Sequence, residues 1–256
     1  MMKNFISYIL VLFLIIASFY YADKISSFII NKSDLMTQIN SKKSLYERSY
    51  IDAIKYDEYI IPGLNGQEVN TLESFYNMKK YHTFLKDKLV YNEVSPKVSI
   101  EQNKHLIINK ANPLKKSVAI LVKNNDEVLE YSKNLDITKL INLSSFSSKT
   151  KNDQINIDIE NYDKVNNLLD KNNMNKKICL IFENYDNYCK NKDYYIVKPT
   201  FTISNNNIYI KDKIQSGDIL YISDDLSLDN YKILLITLNF YDLKVISLSK
   251  LISEKL

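Results

Sequence analysis

The chain has 256 residues, and 45% of them are hydrophobic. This length and composition are enough for one sizeable core, so we expect one main domain with appendages and not a disordered chain. The net charge of +4 is spread along the sequence, which argues against the clustered basic surface of a nucleic-acid-binding protein.

The N-terminal region contains an apolar run from Phe5 to Ala22 without a charged residue, close to the minimum length that spans a bilayer. Phe19 and Tyr20 occupy positions where a signal-peptide cleavage site needs small residues, so residues 1–22 are predicted to be an uncleaved membrane anchor. Lysines flank the run on both sides, and their number does not orient it.

The next two segments are predicted to connect the anchor with the main domain. Residues 23–50 place apolar side chains at three- and four-residue spacing, which predicts a helical stalk. Residues 51–114 are predicted to form a small α+β segment packed on the main domain. In this segment we expect a turn over Pro62 to Gly66, a helix over Thr71 to Phe84 with Asn70 as its N-cap, and short strands at 89–91, 98–100 and 106–108.

Residues 115–256 alternate between strand-like and helix-like patterns, beginning with an apolar run from Ser117 to Val122. The predicted helices are 127–134, 162–172 and 226–241, and the further predicted strands are 140–143, 154–159, 178–182, 194–197, 219–222 and 244–248. Such alternation indicates an α/β fold with a parallel sheet covered by helices. In these folds functional side chains lie where the strands end.

Cys179 and Cys189 are the two cysteines of the chain. Cys179 lies in an apolar run, and the favoured interpretation is a small buried hydrophobic residue. A disulfide between the two cysteines is the alternative if the domain lies outside the cytoplasm. Two cysteines alone do not complete a structural zinc site.

The segment Gly217 to Asp224, followed by a helix and then by Lys244 to Ile252, resembles the C-terminal end of the polysaccharide deacetylase (NodB-homology) family. Residues 60–100 are similar to the N-terminal region of membrane-anchored deacetylase-like proteins of low-GC Gram-positive bacteria. The resemblance implies an incomplete or degenerate (β/α) barrel over residues 115–256, which are too few for a complete eight-unit barrel. It also implies an extracytoplasmic main domain on a single-pass membrane protein.

The catalytic motifs of that family are missing from this sequence. The family places an Asp-Asp pair after its first strand, where this chain has Lys123 to Asp126. Two histidines four residues apart supply the other metal ligands of the family, whereas this chain has only His82 and His105. Ser223 stands where the family has the His that acts as general acid. The resemblance therefore implies no metal, no other cofactor and no catalytic residue.

The ends of parallel strands meet at one edge of a sheet, so the polar residues that follow them are predicted to surround one depression. The candidate ligand-binding residues are Asn124, Asn125, Asp126, Lys198 and Asp224. Tyr221 or Tyr231 would add an apolar ring contact to a sugar. The alternative is that all of these are ordinary solvated loop residues. Asp224 with Asp225, and Asp153, Asp158 and Asp163, are the type of carboxylate that glycoside hydrolysis uses in pairs, but the favoured interpretation is that they lie in turns and on solvated faces.

Three functions follow as hypotheses. The first is a membrane-anchored deacetylase-like protein without activity that binds cell-wall glycan or acts as a scaffold. The second is an active carbohydrate deacetylase, acting on peptidoglycan or another polysaccharide, with substituted metal ligands. The third is a structural protein of envelope assembly. The sequence leaves the oligomeric state open.

Overall fold

The computed structural model describes residues 2–148, 153–158, 160–172, 177–182, 189 and 193–255. Contacts divide the chain into two compact units. Unit 1 consists of residues 1–49 and 66–94, and unit 2 consists of residues 50–65 and 95–256. The segment 51–114 is therefore shared between the units, and its predicted packing on the main domain stays a prediction.

The secondary structure is numbered here in chain order. The helices are α1 (Met2–Asn31), α2 (Asp34–Lys42), α3 (Thr71–Met78), α4 (Asp126–Tyr131), α5 (Tyr162–Lys171), α6 (Leu228–Phe240) and α7 (Leu248–Ile252). The strands are β1 (Ile54–Tyr56), β2 (Tyr59–Ile61), β3 (Gly66–Val69), β4 (Tyr91–Val94), β5 (Ile107–Ile108), β6 (Ser117–Val122), β7 (Thr138–Ile141), β8 (Asp153–Asn156), β9 (Ile178–Leu180), β10 (Tyr195–Val197), β11 (Phe201–Ile203), β12 (Ile219–Ile222) and β13 (Lys244–Val245).

Helix α1 continues past the predicted end of the anchor at residue 22. Its part from Val11 to Asn31 has a mean hydropathy of 1.4 and none of it is buried, so by length and composition it is long and apolar enough to cross a membrane. At about 1.5 Å per residue these 21 residues extend roughly 31 Å, close to the thickness of a bilayer hydrocarbon core.

Unit 1 has a small core between α2 and α3, to which Ile30 at the end of α1 adds a partly buried contact. Ser33 caps α2 by accepting a hydrogen bond from the Met36 amide. Asn70 caps α3 in the same way through the Glu73 amide, at 3.1 Å, as its position in the sequence predicts. Strands β3 and β4 pair in antiparallel fashion beside these helices.

Unit 2 contains two sheets that consist mainly of parallel strands. The first has the order β11-β12-β6-β7-β8, with β13 also paired to β6. The second has the order β1-β2-β5-β10-β9, in which only the β1-β2 pair is antiparallel. All six residues of β6 are buried, as expected for a strand covered on both faces.

The two sheets enclose one shared core. That core contains residues from eight strands around the interior: Ile60, Ile108, Ala119, Leu121, Leu140, Ile155, Ile178, Val197 and Ile219. The Ala111 amide donates a 2.8 Å hydrogen bond to the Gly217 carbonyl, which joins the chain after β5 to the chain before β12. On the outer side of β6, Val118 and Ile120 pack with Tyr231, Leu234 and Leu238 of α6. The predicted incomplete barrel is confirmed.

The C-terminal residues close the end of the barrel at which β6 begins. Leu248 and Leu251 of α7 belong to the shared core. The carboxylate of Glu254 accepts hydrogen bonds from the amides of Gly63 and Ile100, at 3.2 and 3.0 Å. The predicted strand at 98–100 is wrong, because the Ile100 amide binds this carboxylate and the Val98 amide binds Asp52 instead of a strand.

Cys179 and Cys189 form a disulfide with their Cα atoms 5.9 Å apart. Cys179 is buried, as the favoured interpretation has it, but it is paired, so the alternative of a disulfide is the one observed. Both cysteines are buried in one apolar cluster with Ile107 and Ile196. The disulfide lies close to the end of β9.

Candidate functional site

The loop after β6 contains residues of two kinds: some maintain the fold, and others face solvent. Asn125 is buried and caps α4, since its Oδ1 accepts a hydrogen bond from the Val128 amide at 3.1 Å. Its Nδ2 donates to the Leu226 carbonyl at 2.8 Å. The Asn125 side chain therefore ties the loop after β6 to the loop after β12, which differs from the ligand contact predicted from the sequence.

The other predicted site residues occupy different positions at this end of the barrel. Asn124 and Asp224 are exposed and adjacent, with the Asn124 Nδ2 atom 3.4 Å from the Asp224 Oδ2 atom. Asp126 is the first residue of α4, where a negative charge stabilises the helix. Lys198 follows β10 in the second sheet and is half-buried. The structure thus brings Asn124 and Asp224 together.

A depression lies where β6, β7 and β8 end. It has a volume of about 370 Å³ and is lined by Lys123, Asn142, Ile157, Asp158, Glu160 and Asn161. We call this depression the barrel-end cleft. It combines one ammonium group, two carboxylates, two amides and one aliphatic side chain.

Backbone amides hold the Asp158 carboxylate at the rim of the barrel-end cleft. Its Oδ2 accepts from the Leu143 amide and its Oδ1 from the Asn161 amide, each at 3.0 Å. These hydrogen bonds, that of Leu143 foremost, lower the pKa of Asp158, so the side chain is ionised at neutral pH. The strand predicted over 154–159 contains Asp158, whereas in the structure β8 ends at Asn156 and Asp158 lies in the loop that follows, so the rule that selected the loop after β6 did not select Asp158.

An aromatic pair lies near the ends of two other strands. Phe182 follows β9, its ring centroid is 4.8 Å from that of Tyr221 in β12, and it is 38% exposed. Burial, with a smaller contribution from Asp224, raises the pKa of Tyr221, so its hydroxyl remains protonated. Tyr231 is wholly buried and its hydroxyl lies 2.7 Å from that of Ser132, so the predicted sugar contact through Tyr231 is wrong.

The metal of the deacetylase family does not fit the residues at this end of the barrel. Lys123 and Asn124 follow β6, and an ammonium group repels a divalent cation. His105 lies before β5 and hence at the opposite edge of the barrel, and His82 belongs to unit 1. Within the described ranges no three His, Cys, Asp or Glu side chains form a group that could hold a metal ion.

Comparison with known proteins gives no match to a family model. An uncharacterized protein of Bacillus subtilis (strain 168), YlxY, is 33% identical over 139 residues, which cover 48% of this chain and 43% of that protein. The matched region thus spans less than half the length of this curated relative.

Two crystal structures from one Bacillus anthracis protein have a similar fold. Wild-type BA3943, a CE4 family pseudoenzyme, has a TM-score of 0.53 at 19% identity, covering 88% of this chain and 96% of that one. A BA3943 mutant with restored enzymatic activity has a TM-score of 0.52 at 19% identity, covering 86% and 98%. The chain therefore has the fold of the CE4 carbohydrate esterases, the polysaccharide deacetylases. It is a degenerate form of that fold, because the catalytic motifs are absent from its sequence.

Neighbouring asparagines provide a matched test of the loop after β6. Replacing Asn125 with Ala removes the N-cap of α4 and the bond to the Leu226 carbonyl, and we expect the free energy of unfolding to fall by roughly 2 kcal/mol. Asn124→Ala, one residue earlier and exposed, is expected to change it by less than about 0.5 kcal/mol. Urea denaturation measures the free energy of unfolding of both variants. Equal losses would show that the hydrogen bonds of Asn125 do not stabilise this loop.

Proposed function

We propose that this chain is a membrane-anchored, extracytoplasmic protein of the deacetylase fold that has no deacetylase activity and binds cell-wall glycan in its barrel-end cleft. The observation that carries the proposal is the loop after β6, where the chain has Lys123 to Asp126 in place of the family's Asp-Asp pair. Without an Asp-Asp pair at this position, the loop lacks both the metal ligand and the general base that the family places there.

The cleft retains the groups that recognise sugars without metal chemistry. Lys123 can donate hydrogen bonds, the ionised Asp158 accepts them, and the amides of Asn142 and Asn161 can do both. Lys123 offsets one of the two carboxylate charges that line the cleft, which favours a neutral sugar polymer over a polyanion. N-acetylated sugars, with hydroxyl and amide groups, match this set of donors and acceptors.

The aromatic pair supports the same class of ligand. Sugar rings have apolar faces, and carbohydrate sites place partly exposed aromatic rings beside polar groups that fix orientation. Phe182 is partly exposed against Tyr221.

Two features support the proposed location. Residues 11–31 of α1 are long and apolar enough to span a bilayer. The Cys179–Cys189 disulfide is of a kind that persists in oxidising compartments and is rare in the cytosol. Together they support a domain that is anchored to the membrane and lies outside the cytoplasm.

The proposal is tested by titrating the full chain, in zwitterionic nanodiscs, with soluble N-acetylglucosamine oligosaccharides. We expect weak binding that Lys123→Ala reduces about tenfold, through loss of a hydrogen bond from a charged donor. We expect Phe182→Ala to reduce it about threefold to tenfold, through loss of a ring contact.

Matched substitutions on the outer surface provide the controls. Lys213→Ala and Phe240→Ala remove the same types of side chain from exposed positions, and Phe240 is 81% exposed at the end of α6. Both variants should bind like the parent chain. Equal affinities for all four variants would place any glycan binding elsewhere, and no binding by the parent would favour a structural role in envelope assembly.

A further inference from the structure

Unit 1 has two adjoining cavities on its surface that are separate from the barrel-end cleft. One, of about 400 Å³, is lined by Asn77, Lys80, Tyr81, Asp87, Lys88 and Leu89. The other, of about 620 Å³, is lined by Tyr76, Asn77, Lys79, Lys80 and His82. Because they share Asn77 and Lys80, they form one continuous surface, which we call the basic-aromatic face.

Charge on the basic-aromatic face is predominantly positive. Lys79, Lys80 and Lys88 line it together with one carboxylate, that of Asp87, whose Oδ2 lies 3.6 Å from the Lys88 Nζ. The Lys80 ammonium lies 4.8 Å from the centre of the Tyr81 ring. Lysines in this arrangement favour a ligand with negative charge.

Exposed apolar side chains border these lysines. Leu72 and Tyr76 are four residues apart and thus share one side of α3, and they are 49% and 53% exposed. Tyr81 is 43% exposed. Amphipathic rings and lysines with long aliphatic stems are the side chains that proteins place at the boundary between bilayer and water.

The basic-aromatic face belongs to the unit that contains the membrane-spanning candidate. The apolar part of α1 ends at Asn31, α2 begins at Asp34, and Ile30 packs against the core that α2 and α3 share. Helix α2 has nine residues and is about 14 Å long. The folded part of unit 1 therefore begins at the headgroup region of any bilayer that α1 crosses, with no long linker between them.

We propose that the basic-aromatic face binds the phosphate headgroups of anionic lipids in the bilayer that α1 spans, with the exposed tyrosines in the headgroup region. This inference rests on the proposed membrane anchoring and is independent of glycan binding. Attraction to an anionic lipid surface contributes about fivefold per lysine to surface association. Asp87 offsets one of the three lysine charges, and the net attraction adds to the anchoring by α1 to favour unit 1 lying against the membrane.

Lysine footprinting tests the inference on the full chain in nanodiscs. The chain is placed in phosphatidylcholine alone or in phosphatidylcholine with phosphatidylglycerol, treated with an amine-reactive reagent, and analysed by mass spectrometry. Lys79, Lys80 and Lys88 should react several-fold more slowly in the anionic nanodiscs, and high salt should remove the difference. The exposed Lys97 and Lys213 of unit 2 are the reference residues.

Two charge variants complete the design. Lys79→Glu with Lys80→Glu should abolish the protection of Lys88, whereas Lys97→Glu with Lys213→Glu should leave it intact. Equal reactivity of the three lysines in both nanodiscs would overturn the inference. Protection by soluble glycerol phosphate polymer but not by anionic lipid would overturn it as well, and would assign the face to a soluble phosphate polymer. Failure of the chain to enter nanodiscs would instead contradict the proposed anchoring.

Discussion

Replacing both Cys179 and Cys189 with Ser is expected to lower the free energy of unfolding by about 2 to 3 kcal/mol. The disulfide closes a short loop, since its cysteines are ten positions apart in the sequence, and so restricts the unfolded chain. It is also buried, so two serine hydroxyls would have to be accommodated in an apolar cluster. Guanidinium denaturation of the parent and the double variant, each with and without a reductant, measures the effect.

The reductant provides the internal control for this prediction. It should shift the unfolding midpoint of the parent chain to lower denaturant and leave that of the double Ser variant unchanged. Thiol alkylation of protein taken directly from cells should find both cysteines blocked until reduction, as expected outside the cytoplasm. Two thiols that react before reduction would contradict both the disulfide and the location proposed from it.

Gly217→Ala is expected to destabilise unit 2 by about 3 kcal/mol or more, because no side chain fits at this position. Gly217 has a φ of +92°, and a Cβ atom built on it would lie 2.3 Å from the Ala111 carbonyl oxygen. The Ala111 amide also donates to the Gly217 carbonyl, so a shift to relieve the clash would break the join between β5 and β12.

A control substitution nearby in the sequence shows whether the loss of stability comes from the backbone at Gly217 or from any mutation in this region. Lys213→Ala lies four residues earlier at an exposed position and should change the free energy of unfolding by less than about 0.5 kcal/mol. Urea denaturation compares the two variants. If Gly217→Ala were as stable as the parent, the close approach of the chain segments around Ala111 and Gly217 would be incorrect.

Short-range patterns predicted much of the barrel. The apolar run of β6 and the strand β12 have the bounds expected from sequence, and Asn70 caps α3 as its residue type indicates. Strands β1, β2, β3 and β11 were missed, and the strand at 98–100 was predicted wrongly. In the second case the decisive partners, Asp52 and Glu254, are far away in sequence, so local propensity contains no information about them.

The candidate site was predictable only where a topological rule applied. The rule that parallel strands end at one edge placed Asn124 beside Asp224. It did not reveal that Asn125 is the N-cap of α4, because the helix was predicted from residue 127, whereas α4 begins at Asp126. The pairing of Phe182 with Tyr221 depends on where β9 and β12 meet, which periodicity does not specify.

Glycan binding without a metal is tested most directly by one titration. The chelator-treated full chain is titrated with N-acetylglucosamine oligosaccharides by calorimetry, with and without added zinc, and each endpoint is assayed for released acetate. We expect the same weak affinity in both titrations and no acetate, because the loop from Lys123 to Asp126 lacks an Asp-Asp pair and the described residues hold no group of three metal-ligating side chains. Binding that appears only with zinc, or zinc-dependent release of acetate, would contradict the proposal and show an active deacetylase with substituted ligands.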